Sequence, residues 1–480
     1  MKVFTHKWNN FPIYILLIFL LGLAIRVILI VDQNHLSSLF DDSYYSLSVA
    51  RNIASGDGIT CSGLQTNGFQ PLYVFICVPY YYFFGENAVW LALLTLAIVN
   101  AVTGLFIYKL LIYFKCRSTA ILGIIIWTLS PYVYWNGTNG LETAFTSFFL
   151  VTSAYYYVIK VRKNENPKLL YLFHLGVLIG FGVLARIDMC FWALAIAIDI
   201  ILINKSISLI KRLKQIIAIA IAAFVIYSPW FLYNLIVFKS ILPTSGSGVR
   251  FISLAFGYNY WKLDEYFPIN SIPAKYYLLS FIASMKENLL AFDTFSSIFS
   301  IKLMVFLFLV IIIFFRKRII EYSKKYSFLI ILPIFHITAY SFWIFGQWFY
   351  QRYYYSVQTI LILWTCIIVQ KAFDISPKTL HYKNYILFAV AAILLVFPEA
   401  SIYQIYRNKN FRSLKSEINS VKEIMKIVPK GETIGAFQSG TIEYYVKDRK
   451  VINLDGVVNL KALKAMKEKR MSIYLKENNI

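Results

Sequence analysis

The sequence predicts an all-α polytopic membrane protein with about 11 transmembrane helices and a small C-terminal extracytoplasmic α/β domain. Three observations carry that expectation. Hydrophobic residues make up 59% of the 480-residue chain and charged residues only 15%, with a mean hydropathy of +0.62, outside the range of soluble globular proteins. The apolar residues are gathered into runs of membrane-crossing length. Between those runs lie the basic residues, in short clusters rather than along one amphipathic face.

In chain order the runs are 13–31, 88–114, 119–135, 143–159, 169–185, 189–204, 216–237, 299–315, 327–345, 353–370 and 384–400, each judged against the ~20 residues a helix needs to cross hydrocarbon. Pro71 to Phe84 is short for a crossing and contains Pro79, so it reads as an interfacial or re-entrant helix. Six basic segments, from Lys2 and Lys7 through to Lys371, Lys378 and Lys383, then share one side. By the positive-inside rule that side is the cytoplasm, which puts the N-terminus inside and the tail outside. No small-residue cleavage site follows the first run, so it reads as an uncleaved signal-anchor.

Beyond about residue 402 the composition turns polar and Lys-rich, dividing the chain into a membrane unit, 1–402, and a tail, 403–480. The tail patterns as a helix near Leu414–Ile427, a strand at Thr433–Phe437, a turn or helix start at Gln438–Gly440 and a second strand at Lys450–Leu454. So small a unit is expected to lean on the outer loops.

The net charge of +23 does not point to nucleic acid, because the cations punctuate apolar runs instead of forming a binding face. Five scattered cysteines without CxxC spacing imply neither a disulfide framework nor a zinc site. No cluster asks for a resident metal or cofactor, although an acidic pair can recruit a divalent cation.

That pair is Asp41-Asp42, about ten residues past the first run and so at the water–lipid boundary, where a charge must be solvated, paired or used. Glu142 falls at an outer helix start, where an acid is favourable for dipolar reasons as well. Arg186 and Asp188 share a tight turn and read equally as a self-satisfied ion pair or as substrate contacts. Arg352 emerges at the end of a span among aromatic residues, and its guanidinium fork suits phosphate oxygens. Arg26, inside the first run, is expected to neutralise Asp32 or the acidic pair. His174 and His336 read as packed histidines.

The succession Phe40-Asp41-Asp42-Ser43-Tyr44-Tyr45, Gly56-Asp57-Gly58 and Thr66-Asn67-Gly68-Phe69-Gln70-Pro71-Leu72 is followed by Gly140-Leu141-Glu142-Thr143, Leu184-Ala185-Arg186-Ile187-Asp188, Gln351-Arg352-Tyr353-Tyr354 and Asn453-Leu454-Asp455-Gly456. In that order the blocks resemble the GT-C superfamily of membrane glycosyltransferases, in particular the protein O-mannosyltransferase and aminoarabinose transferase group and the mycobacterial arabinofuranosyltransferases. The resemblance implies a polyprenyl-phosphate sugar as co-substrate, a glycan, lipid or protein acceptor, and catalysis at the outer face of a prokaryotic plasma membrane. It also implies an acidic base in the first loop, with Asn67, Gln70, Glu142 and Asp188 among the substrate contacts. Since a sugar phosphate departs without a strong acid, the needs are a carboxylate to take the acceptor proton and cations to hold the phosphate. Asp41 is the expected base, with Asp42 orienting it or binding sugar, and close carboxylates leave the reverse assignment open. Arg352 and then Arg186 are the expected phosphate ligands. A transporter or flippase of lipid-linked or anionic substrates is the alternative, but its ionisable groups would lie near the midplane of paired halves.

Reporter fusions at Lys378 and Lys430 should report opposite sides of the membrane. A cytoplasmic signal at Lys430 would instead make 71–84 a true crossing.

Overall fold

The computed structural model describes residues 11–31, 39–203, 206–255, 281–282, 285, 319–343, 350–375, 382–392 and 411–480. The expected run at 299–315, part of that at 384–400, Asp32 and the boundary near 402 lie outside them. Five described stretches are long and apolar enough to cross a membrane: Ile13–Val31, Pro71–Tyr113, Thr143–Val161, Leu209–Phe238 and Tyr355–Asp374. Arg117–Leu129, Leu169–Ala185, Ser327–Phe342 and Lys383–Ala392 are shorter apolar helices.

Helix α1, Ile13–Val31, is followed by α2, Asp41–Ala54. A two-residue hairpin, β1 Thr60–Cys61 with β2 Leu64–Gln65, then leads to α3, Pro71–Phe84. Helix α2 begins at Asp41, so that Asp41 and Asp42 occupy its first turn, where carboxylates complement the dipole. Pro71 is at the first position of α3, where its missing N–H costs nothing. A straight helix would separate residues 80 and 95 by about 22 Å. Yet the Tyr80 hydroxyl meets Thr95 Oγ1 at 2.9 Å, so α3 folds back on α4, Ala88–Tyr113, as a separate 14-residue helix.

The expected span 119–135 is broken in two, α5 Arg117–Leu129 and α6 Pro131–Asn136. Pro131 has no N–H for the Trp127 carbonyl, and Arg26 supplies the missing donor. Its Nη2 donates to Trp127 O at 3.1 Å, Nη1 to Thr128 O at 3.4 Å, and Nε to Asn100 Oδ1 on α4 at 2.8 Å. Arg26 therefore caps a broken helix inside the bundle and does not neutralise the acidic pair, contrary to the sequence reading.

The bundle continues through α7 Thr143–Tyr156, α8 Leu169–Ala185, α9 Cys190–Ile203, α10 Leu209–Tyr233, α11 Thr244–Ala255, α12 Ile319–Lys325, α13 Ser327–Trp343, α14 Tyr350–Tyr353, α15 Tyr355–Ile375 and α16 Lys383–Ala392. Helices α7 and α10 each end in a π turn, Tyr157–Val161 and Asn234–Phe238. A large apolar core around Trp127, Tyr157, Trp192 and Tyr326 holds the bundle together. Within it, buried Asp199 on α9 takes Tyr157 Oη at 2.7 Å and Arg162 Nε at 2.8 Å.

The tail comprises α17 Phe411–Ile427, β3 Thr433–Ala436, α18 Gly440–Tyr445, β4 Lys450–Asn453, α19 Leu460–Lys467 and α20 Met471–Glu477, with β3 and β4 paired in parallel. Of the turn or helix start expected after the first strand, the structure shows the helix, beginning at Gly440. Tyr444 and Val458 belong to the same hydrophobic cluster as α2, α3 and the start of α4, so the tail shares a core with the first loop.

Replacing Arg26 with leucine leaves the Trp127 carbonyl and Asn100 amide without their donor. The variant is expected to lose about 2 kcal/mol, measured as thermal unfolding in detergent.

Candidate active site

The first turn of α2 faces the tail directly. Asp41 Oδ1 accepts the backbone N–H of Thr441 at 2.7 Å and Oδ2 that of Gly440 at 3.0 Å. One carboxylate thereby sits in the first turn of its own helix and against that of α18. The approach is possible only because residue 440 is glycine, since a Cβ there would lie 2.3 Å from the Asp41 carbonyl oxygen. Burial pushes the Asp41 carboxyl up to about 6, against the pull of the Thr441 and Gly440 amides, and the charge of Asp42 adds to the rise.

Around this contact the tail is fastened on two further sides. Glu443 accepts from Ser62 N at 2.6 Å, Ser62 Oγ at 2.9 Å and Cys61 Sγ at 2.9 Å, completing the hydrogen bonds of the hairpin turn. From α2, Arg51 donates to the Tyr444 carbonyl at 2.9 Å, near the end of α18, as suits a cation at a helix C-terminus.

Asp42 points elsewhere, to an ion pair with Arg352 of α14 that remains partly open to solvent. The guanidinium carbon of Arg352 lies over the Tyr353 ring, 5.3 Å from its centroid, and that of Arg186 lies over the same ring at 5.2 Å. Arg186 is already engaged. Its Nη1 meets Glu142 at 2.8 Å, its Nε and Nη2 meet Asp188 Oδ2 at 3.0 and 2.9 Å, and Tyr340 donates to the same Asp188 oxygen at 2.7 Å. His336, fully buried, stacks on Tyr340 and bonds the Tyr353 carbonyl at 2.8 Å, the packed role expected of it.

One cavity of about 1760 Å³ joins these groups. Asp41, Asp42, Glu142, Arg186, Asp188 and Arg352 form its charged part, the head, and Gln70, Trp135, Gln438 and Asp455 line it as well. The same cavity is bordered by the apolar side chains Ile179 and Val183 of α8, Phe191 of α9, and Ala220, Ala223 and Phe224 of α10.

Of the residues singled out in the sequence, Asp41, Asp42, Gln70, Glu142, Arg186, Asp188 and Arg352 are brought together on this cavity. Asn67 is not. It is fully buried, donating to Asn234 Oδ1 at 2.6 Å and accepting Thr244 N at 3.0 Å, so it ties the first loop to the π turn after α10 and to the start of α11. Tyr45, Tyr340, Gln438 and Asp455 line the cavity without having been assigned a role. A signal for Asp455 was available in the block Asn453-Leu454-Asp455-Gly456, whereas the two tyrosines are lost among 36 in the chain. Among the described residues no three His, Cys, Asp or Glu side chains converge as metal ligands do.

Residues 70–233 match the family model described as dolichyl-phosphate-mannose-protein mannosyltransferase. The fold is similar to that of ArnT from Cupriavidus metallidurans, solved bound to undecaprenyl phosphate, with a TM-score of 0.59 at 10% identity over 95% of this chain and 88% of that one. It is also similar to the Archaeoglobus fulgidus oligosaccharyltransferase in its apo form, with a TM-score of 0.52 at 12% identity over 99% of this chain and 70% of that one. No curated protein matches the chain by sequence.

The two arginines should separate by stability. Arg186→Gln strands two buried carboxylates and is expected to cost about 3 kcal/mol. Arg352→Gln frees only the half-open Asp42 and should cost no more than about 1 kcal/mol. Thermal unfolding of the two purified variants in one detergent checks the contrast.

Proposed function

We propose that this chain, which has the GT-C fold and resembles the protein mannosyltransferase and aminoarabinose transferase group, moves a sugar from a polyprenyl-phosphate donor to a hydroxyl acceptor at the outer face of a prokaryotic plasma membrane. The observation that carries the reading is the lining of the cavity, in which apolar side chains of three helices and a charged head border one space. A polyprenyl chain needs the first and a phosphate the second. ArnT, of similar fold, was solved with undecaprenyl phosphate bound.

In this reading Arg352 takes the donor phosphate. It is held in place by Asp42 and the Tyr353 ring, and an incoming phosphate replaces Asp42 as its partner. Arg186, committed to Glu142 and Asp188, neutralises the wall rather than grips the phosphate. Asp188 Oδ1 is buried, accepts no hydrogen bond and lines the head, and so is available to a sugar hydroxyl. Asp41 accepts the acceptor hydroxyl's proton as the new bond to the anomeric carbon forms and the bond from that carbon to the phosphate oxygen breaks. The polyprenyl phosphate leaves with its charge on Arg352. An ionised carboxylate whose proton affinity is raised toward neutrality suits a general base.

Asp41→Asn should therefore lower turnover by about a hundredfold or more while leaving undecaprenyl-phosphate binding intact. Because the base works ionised, wild-type rate should climb with pH through about 6 and level off above it, and the variant should lose that limb. Mass spectrometry of lipid-linked sugars with and without the gene names the donor by what accumulates. Wild-type turnover in Asp41→Asn would transfer the role to Asp42.

A further inference from the structure

Residues 438 to 441 present four successive backbone N–H groups, and each is donated to a side chain outside that run. Gln438 donates to Asp455 Oδ2 at 2.9 Å, Ser439 to the Tyr45 hydroxyl at 2.7 Å, Gly440 to Asp41 Oδ2 at 3.0 Å and Thr441 to Asp41 Oδ1 at 2.7 Å. Gln438 has a φ of 48°, in the left-handed region, and is followed by Ser439 at φ −93° and ψ 0°. A change of hand between neighbours turns consecutive N–H groups to one side, which is how a backbone nest for anions is made. Here the anion is supplied by the chain itself. A non-glycine residue in the left-handed region is strained, and such strain persists only where surrounding contacts hold it. Asp455 provides that hold on Gln438, and Glu443 and Arg51 fasten the helix behind it.

We propose that the 438–441 nest is the positioning element of Asp41, fixing its oxygens at the head of the cavity, so that the tail is part of the catalytic apparatus. The proposal rests on Asp41 being the base. The carboxylate accepts two backbone N–H groups and the Thr441 side chain, and of its four or so acceptor sites one is left to receive a proton. The groups facing Asp41 are Asp42 and Tyr45 from α2, Cys61 from β1, Asp455 from the end of β4, and Arg352 through its pair with Asp42. Burial and the neighbouring acid Asp42 favour the protonated form, whereas the nest favours the ionised form. Without the nest Asp41 would keep its proton to a higher pH and be a base in a smaller fraction of molecules.

Infrared titration of the full-length protein in detergent tests this. The band of a protonated carboxyl that is missing from Asp41→Asn should titrate near pH 6 in the wild type. Gly440→Ala drives a methyl group against the Asp41 backbone and should raise that midpoint by about one pH unit or more. Tyr45→Phe keeps the ring but leaves Ser439 N without its acceptor, and should raise it by less. In sugar transfer the acid limb should move with the midpoint, and kcat should fall while donor KM holds. An unmoved midpoint in folded Gly440→Ala overturns the proposal, as does one in Tyr45→Phe should the alanine variant not fold. The titration needs neither donor nor acceptor. Absence of sugar transfer by the wild type would defeat the functional reading alone, and transfer with an unmoved midpoint would defeat the positioning role alone.

Discussion

The contact on which the site depends joins residues 400 positions apart, the carboxylate of Asp41 and the backbone of Thr441. Neither partner is complete alone. Asp41 would be a buried acid without donors, and α18, too short to be stable in isolation, would lose the anion at its first turn. Because the tail also shares the cluster that holds α2 and α3, the membrane unit and the tail are one structure around one cavity.

Buried charge elsewhere follows the same economy of pairing, with different results. Arg26 finds carbonyls that a proline has orphaned, Asp199 finds an arginine and a tyrosine, and Arg186 finds two acids and a phenol. In each set the buried arginine is matched by acceptors, which offsets the cost of its burial, although Asp188 keeps one oxygen without a donor. The pair Asp42–Arg352 is the half-open one, facing a cavity large enough for a ligand. Chemistry is best placed where pairing is provisional, since an arriving phosphate then exchanges one partner for another instead of breaking a sealed network.

Much of this was legible because the signals are local. Hydrophobic runs located most of the described helices to within a few residues, the exceptions being 119–135, broken at Pro131, and 216–237, whose helix starts at Leu209, since length and composition decide whether a segment suits hydrocarbon. Asp41 and Asp42 stood out because acids beside a membrane segment need a reason. What failed was pairing at a distance. Nothing in the neighbourhood of Arg26 announces Pro131, and nothing around Asn67 announces Asn234 and Thr244, so a structural arginine was given to the acids and a structural asparagine to the substrate. The tail's strands were found from alternation, but a six-residue helix after β3 has too few turns to show a period, and its contact with the first loop has no signature at all.

The order of manufacture has a bearing on when this site comes into being. Ribosomes add about 5 to 20 residues per second, so roughly 20 to 80 s separate emergence of the first loop from that of the run that receives Asp41. Throughout that interval Asp41, Tyr45 and the hairpin at Cys61 and Ser62 lack the partners they will finally have. The chain enters the membrane helix by helix with the Asp41 carboxylate unseated. Asp41 therefore gains its donors only once the 438–441 run has been made, after the described helices that line the cavity.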